Sequence, residues 1–210
     1  MSSNSFRHAQ FLLSAPNLRK LPPDSGAEIA FAGRSNAGKS SALNTICDQK
    51  GLARTSKTPG RTQLLNVFAV AEERRLVDLP GYGYAKVPEA MREQWRHAID
   101  EYLRERESLR GVVLIIDSRH TLKEFDCQML DYCRDIGLPC HVLLTKADKL
   151  GRGEAARTLA QVRRECVTRG WPASAQLFSS LAKTGLDDAR RILAKMLDEQ
   201  PPLEVVDDVG

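Results

Sequence analysis

Glu28-Ile29-Ala30-Phe31-Ala32-Gly33-Arg34-Ser35-Asn36-Ala37-Gly38-Lys39-Ser40 decides the fold: an apolar run enters a turn that matches G-x-x-x-x-G-K-[ST] at every fixed position. A strand that ends in such a turn and opens into a helix aims several backbone NH groups and the positive end of the helix dipole at one small volume, which a polyphosphate fills. In this arrangement Lys39 reaches the β- and γ-phosphates and the Ser40 hydroxyl ligates a magnesium ion. A chance match in a flexible turn is the competing reading, and the strand before the turn and the helix after it weigh against that.

Working outward, the periodicity predicts a helix from about Lys39 to Cys47, then a Gly-, Pro-, Thr- and Arg-rich loop from Lys50 to Gln63. Leu64 to Val70 and Arg74 to Leu79 are extended runs, separated by three residues as in an antiparallel hairpin. Glu89 to Leu109 carries Met91, Trp95, Ile99, Tyr102 and Leu103 at helical intervals, a core stripe rather than a cofactor box. The run Gly111 to Asp117 is nearly all apolar, as suits a central parallel strand covered on both faces, and Cys140 to Thr145 and Gln176 to Ser179 resemble it. Helical segments near Lys123 to Ile136, Glu154 to Arg169 and Leu186 to Glu199 complete the pattern.

The expected fold is therefore α/β, a three-layer sandwich of P-loop type. It has a mostly parallel six-stranded sheet with one antiparallel edge strand and helices on both faces. The expected division is an N-terminal extension over 1–24, a nucleotide-binding domain over 25–199, and a short acidic tail over 200–210 after Pro201-Pro202 breaks the last helix.

Composition supports one ordinary globule: 210 residues, 42% hydrophobic and 28% charged, with a net charge of +4 that permits a nucleic-acid partner without demonstrating one. No apolar stretch approaches the roughly 18 residues of a membrane span. The polar start, Met1 to His8, lacks the order of a secretory signal, so a cytoplasmic address is expected. The five cysteines show no C-x-x-C pair and read as reduced thiols, mostly buried. Cys140 and His141 are neighbours on a strand and point to opposite faces, which argues against joint metal ligation.

Ligands in such sheets bind beyond the carboxyl ends of the strands. Asp78-Leu79-Pro80-Gly81 closes the second hairpin strand. The Asp can hold magnesium through water, and the Gly81 amide can sense a γ-phosphate. Thr145-Lys146-Ala147-Asp148 ends a later strand. The Asp148 carboxylate can accept two hydrogen bonds from guanine, whereas adenine presents no matching donor pair, and the Lys146 stem can lie along the base. Phe178-Ser179-Ser180 ends the last strand, where backbone NH groups could meet the guanine carbonyl oxygen.

These elements in this order resemble the translation-factor-related GTPases, with T-K-x-D in place of N-K-x-D. Together with Lys57-Thr58-Pro59-Gly60-Arg61-Thr62-Gln63 and Asp78-Leu79-Pro80-Gly81-Tyr82-Gly83-Tyr84-Ala85, they resemble the EngB (YihA/YsxC) family over about Gln10 to Leu197. The family's usual residue at 145 is Thr. The resemblance implies a bacterial GTPase needed for large-ribosomal-subunit assembly and for normal cell division and septation, working on GTP and GDP with Mg2+. It implies that Ser40 and Thr62 are the magnesium ligands. It also implies that Gly33 to Ser40, the run Gly60-Arg61-Thr62-Gln63-Leu64, Asp78 to Gly81, Thr145 to Asp148 and Phe178 to Ser180 line the nucleotide. The implied partners are the large-subunit precursor and its ribosomal RNA.

Lys39, Thr62 and Gly81 are the expected catalytic groups. Tyr82 stands where many GTPases place a water-positioning Gln, and a phenol does not reproduce the amide's paired donor and acceptor, so slow intrinsic turnover is expected, raised by the ribosome or by potassium. Asn36 occupies a position at which some related GTPases hold potassium; the alternative is that Asn simply suits the turn. The basic residues Lys50, Arg54, Lys57 and Arg61 offer an RNA-backbone contact, against plain solvation. Two other functions stay open at this stage. A P-loop ATPase or kinase is disfavoured by Asp148 and by the lack of a lid. A division-site scaffold that scarcely hydrolyses its nucleotide lacks a coiled-coil pattern, and a monomer is expected.

Overall fold

The structure is a computed structural model that describes residues 5–53, 64–81 and 89–198, with the backbone alone at 5 and 89–96. Seven strands form one sheet: β1 (Gln10–Ala15), β2 (Ala27–Gly33), β3 (Leu65–Ala71), β4 (Arg74–Asp78), β5 (Leu109–Asp117), β6 (Cys140–Thr145) and β7 (Ala173–Leu177), in the order β1-β3-β4-β2-β5-β6-β7. Among the described residues five α-helices accompany them: α1 (Lys39–Ile46), α2 (Glu89–Glu105), α3 (Glu124–Asp135), α4 (Arg152–Thr168) and α5 (Leu186–Asp198).

The α/β reading stands, and the sheet carries one strand more than the six expected. β2 pairs in parallel with β4 and β5, and β6 with β5 and β7, while β3 runs antiparallel to both β4 and β1. The hairpin is thus as expected, but β3 is not the edge. Residues 10–15, set within the N-terminal extension by sequence alone, cover it as β1. That strand is largely solvent-exposed and its register slips between Phe11 and Leu13, so it lacks the strict alternation that marks a half-buried strand.

The period-2 alternation of the inner strands builds two cores. Ile29 and Phe31 of β2 and Val113 and Ile115 of β5 face α1 and α5, meeting Leu43, Ile46, Leu193 and Leu197. Ala30, Ala32, Val112, Leu114 and Ile116 face the other way, meeting Tyr102 and Leu103 of α2, Leu130 of α3 and Val162 of α4. With both faces covered, β2 is buried at all seven positions, which sets the P-loop at the end of a strand packed on both sides. The helical stripe expected in α2 is confirmed at Tyr102 and Leu103, both buried, and at Ile99, packed against them.

The far end of the sheet is held by a charge cluster. Glu28, fully buried, takes hydrogen bonds from Arg75 Nη1 (2.8 Å), Arg106 Nη2 (2.7 Å), Arg106 Nε (3.1 Å) and the Tyr102 hydroxyl (3.1 Å). Arg106 Nη2 also donates to the Pro22 and Pro23 carbonyls, and Asp24 accepts from the Glu107 and Ser108 amides. A carboxylate at a dry position is tolerable only when its lone pairs are satisfied in this way. Cys140 lies in the second core, and His141, one residue on, exchanges hydrogen bonds with Ser174 and Gln176, so the two diverge as expected. No cluster of metal-ligating side chains occurs among the described residues.

Candidate nucleotide-binding site

β2 ends at Gly33, where the chain passes so close to β5 that a Cβ would lie 2.7 Å from the Ile115 carbonyl oxygen; only glycine allows this exit. The turn follows, with Asn36 at φ 65° and Gly38 at φ 98°, both left-handed, before α1 begins at Lys39 and closes its first helical bond from Ala42 N to Gly38 O (2.8 Å). The left-handed angle at Asn36 agrees with the turn explanation for an Asn there.

The end of β4 arrives beside this turn. Asp78 is nearly buried and forms an ion pair with Lys39 Nζ, and the Leu79 amide is bonded back to β2 at Phe31 O (3.0 Å). A Cβ built on Gly81 would lie 3.6 Å from Gly33 O and 3.7 Å from Ser35 N, so the D-x-x-G glycine lies against the phosphate loop. Leu79 and Pro80 are buried and serve to deliver Asp78 and Gly81. Leu64 sits directly before β3.

β6 delivers the third element. The Thr145 hydroxyl, 2% exposed, lies 2.5 Å from the Ala37 carbonyl oxygen of the P-loop and 3.1 Å from Ile116 O. Its single proton goes to the nearer oxygen, tying the base loop to the phosphate loop; an Asn is not needed for this tie. Lys146 follows at φ 56°, and its ammonium group donates to Asn36 O (2.7 Å) and to Asp117 Oδ2 (2.9 Å). Asp148 sits in a short turn, Ala147–Lys149, where the Ser179 hydroxyl donates to its Oδ1 (2.6 Å). That hydrogen bond holds the Asp148 carboxyl below the usual range, so it is an ionised acceptor.

The loop after β7 is knitted onto the loop after β6 through Phe178 N to Leu144 O (2.8 Å) and Ala147 N to Phe178 O (3.1 Å). Phe178 is fully buried, and the Ser179 amide donates to Thr184 O. Two of the three amides expected to meet a guanine carbonyl oxygen therefore have protein partners. What the strand end does supply is the Ser179 side chain, which orients Asp148 and in turn accepts from Ala182 N (3.0 Å).

Sequence reasoning overlooked Asp117 and Arg119. Asp117 ends β5 and takes two parallel bonds from the Arg119 guanidinium, Nε to Oδ1 (2.9 Å) and Nη2 to Oδ2 (2.7 Å), besides the Lys146 ammonium. Partial burial acts to raise its pKa, but the hydrogen bonds from Arg119 and Lys146 prevail and leave it well below the ordinary carboxylate value. The signal available in sequence was a single carboxylate closing the apolar run that starts at Gly111. A cleft of about 230 Å³ opens here, with Arg34, Ser35, Asn36, Asp117, Arg119 and Lys146 in its walls.

Ser40 at the start of α1 and Asp78 at the end of β4 carry oxygen donors, the hard ligand type that suits a magnesium ion. Gly60, Arg61, Thr62 and Gln63, the loop residues Arg54 and Lys57, and Tyr82 lie outside the described residues.

Strand-borne P-loop, D-x-x-G and T-K-x-D segments thus converge on one rim, the arrangement of a nucleotide site. Comparison with known proteins agrees. A family model described as 50S ribosome-binding GTPase matches residues 28–146. A relative in Escherichia coli O157:H7 named probable GTP-binding protein EngB is 51% identical over 208 residues, spanning 99% of both chains. A crystal structure of a probable GTP-binding protein engB superposes with a TM-score of 0.65 at 20% identity, over 83% of this chain and all of that one. Era from Aquifex aeolicus, in a variant bound to GDP.AlF4-, superposes with a TM-score of 0.63 at 20% identity, over 84% of this chain and 58% of its own. These superpositions speak for the fold, whereas full-length identity of one half speaks for kinship: the chain belongs to the EngB family of GTP-binding proteins.

Proposed function

We propose that this GTPase is a switch for assembly of the large ribosomal subunit, with its effect on cell division and septation following indirectly. The observation that carries the reading is the joining of a phosphate loop, a D-x-x-G glycine and an oriented Asp148 on one rim, in a chain whose family model is described as ribosome-binding. One loop then reports whether a third phosphate is present while another selects guanine.

In this reading Lys39 and the P-loop amides bind the phosphates. Gly81, already against the P-loop, registers the γ-phosphate, and Asp148 with the Lys146 stem holds the base. Ser40, Thr62 and, through water, Asp78 would hold Mg2+, which supplies charge neutralisation on the phosphate oxygens. Lys39 compensates charge that builds during hydrolysis. With Tyr82 after the glycine, intrinsic turnover is slow and rises on the ribosome. Potassium enters through Asn36 alone, and equal hydrolysis rates in potassium and sodium buffers, with and without ribosomes, would remove it. The basic loop with Lys50, Arg54, Lys57 and Arg61 would meet ribosomal RNA backbone, a contact that weakens with salt. We take 25–199 as the GTP-binding unit, acting as a monomer in the cytoplasm; among the described residues no helix is long and apolar enough to cross a membrane.

The test is sedimentation of cell extract with a non-hydrolysable GTP analogue or with GDP. Migration with large-subunit particles in the first condition and release in the second is expected. Migration independent of nucleotide, or with no ribosomal particle, overturns the proposal.

A further inference from the structure

We infer that Asp117, braced by Arg119, is a positioning residue that locks Lys146 across the P-loop and so sets the rate at which guanine nucleotide leaves. The inference rests on the guanine-nucleotide reading of this rim and goes beyond it, since neither Asp117 nor Arg119 belongs to a phosphate- or base-contacting motif.

Three elements meet at the Lys146 ammonium group. It donates to Asn36 O in the phosphate loop (2.7 Å) and to Asp117 Oδ2 at the end of β5 (2.9 Å), from a residue that itself belongs to the base loop. Both loop residues are held in left-handed backbone, Asn36 at φ 65° and Lys146 at φ 56°, a conformation uncommon for side-chain-bearing residues that tertiary contacts must maintain. A lysine head is a point charge on a flexible stem, and a lone carbonyl would not fix it. Asp117 does, because its own orientation is fixed twice over. Arg119 grips both carboxylate oxygens in a planar fork, and the Arg119 amide donates to Oδ1 (3.1 Å).

The burial gradient supports a lock rather than a decorative surface pair. Side-chain exposure falls from 42% at Arg119 through 32% at Lys146 to 14% at Asp117, so the shared acceptor is the shielded member and the outer arginine screens it from water. The Thr145 hydroxyl makes a second, parallel tie one residue earlier, to Ala37 O. Two ties from adjacent residues of one loop to adjacent residues of the other prevent the base loop and phosphate loop from opening independently. Nucleotide held by both loops can leave only when they separate or loosen, so strengthening the ties slows release.

The experiment measures dissociation of a fluorescent GDP from the full-length chain by chase with excess GDP, for wild type, Asp117→Ala, Asp117→Asn, Lys146→Ala and the double variant Asp117→Ala/Lys146→Ala. Removing the acceptor of a charge-assisted hydrogen bond is expected to speed release about tenfold to a hundredfold in Asp117→Ala, and less in the isosteric Asp117→Asn. In the Lys146→Ala background the Asp117 substitution should change the rate less than about twofold, because the residue it acts through is gone. A merely structural carboxylate would multiply the rate equally in both backgrounds. That outcome, or a wild-type rate in Asp117→Ala, overturns the inference. Should the alanine variant not fold, the same comparison with Asp117→Asn decides. Wild type that fails to bind the fluorescent GDP would instead sink the nucleotide reading, and that is settled before any variant is compared.

Discussion

Replacing Thr145 by Val tests the tie between the base and phosphate loops with the least disturbance of shape. The two side chains are nearly isosteric, and Thr145 and Ala37 are both almost fully buried, so the change substitutes a methyl group for the donor 2.5 Å from the Ala37 carbonyl oxygen. An acceptor left unsatisfied in a buried setting costs about 1–3 kcal/mol. If that cost is borne by the order of the P-loop, it appears as weaker GDP binding by a factor of roughly 5 to 150. If it is borne only by the fold, it appears as a melting temperature lowered by about 2–4 °C per kcal/mol lost. The position of the acceptor favours the first. Ala37 immediately precedes Gly38 and Lys39, whose placement forms the phosphate cradle, and a Cβ on Gly38 would be only 3.6 Å from the Thr145 hydroxyl oxygen. The assay is fluorescent-GDP dissociation by stopped flow, paired with thermal melting without nucleotide. About tenfold faster release is expected for Thr145→Val, and a rate within about twofold of wild type for Thr145→Ser, which keeps the donor. A Thr145→Val protein that melts lower yet releases GDP at the wild-type rate would refute the reasoning.

Other perturbations address the base pocket and the far end of the sheet. Asp148→Asn removes an ionised acceptor and should cut GDP affinity by more than about tenfold without loss of melting temperature; calorimetric titration showing unchanged affinity would argue against base recognition there. Glu28→Ala leaves Arg75 and Arg106 without their shared carboxylate and should cost about 3–5 kcal/mol in urea unfolding, against less than about 0.5 kcal/mol for an ordinary surface substitution. Burial, aided by the nearby Arg163 charge and partly opposed by the Gln176 hydrogen bond, lowers the His141 pKa. The unfolded chain therefore takes up this proton at higher pH than the folded one. The resulting stability is fully present above about pH 6.5 and is lost as pH falls from there toward the folded value. His141→Gln should flatten that part of the urea-midpoint profile between pH 7.5 and 5, and an unchanged slope would place the titration elsewhere.

The inner strands were legible because burial on both faces writes itself as unbroken apolar runs: Cys140–Thr145 matched to the residue, and β2 and β5 to within one or two. β1 was not legible, since an exposed edge with a register slip between Phe11 and Leu13 carries neither alternation nor a continuous run. In the site, the motifs announced Lys39, Asp78, Gly81 and Asp148 because phosphate and guanine chemistry constrain residue type at fixed spacing. Nothing of that kind announces Asp117 or Arg119. Their role depends on where β5 ends relative to a lysine 29 positions later, a distance only the fold sets. The part played by Ser179 was misplaced for a similar reason. Sequence offered its amide, while the folded loop engages that amide with Thr184 and turns the hydroxyl to Asp148.

The two ends of the sheet solve opposite problems with the same chemistry. At the carboxyl ends of the strands, loops must hold a ligand and yet release it. The ties between the base and phosphate loops described above run from buried to partly exposed: the hydroxyl of Thr145, the ammonium of Lys146, and the carboxylate of Asp117 braced from solvent by Arg119. At the opposite end Glu28 is sealed among two guanidinium groups and a phenol, joining the start of β2 to β4 and to the residues that follow α2. Breaking such a buried set costs more than breaking an exposed one, because each orphaned charge then lacks both water and partner. α2 is anchored at its far end by Arg106, one residue beyond its last turn. The same buried set thus joins the sheet and the far end of α2 into one frame.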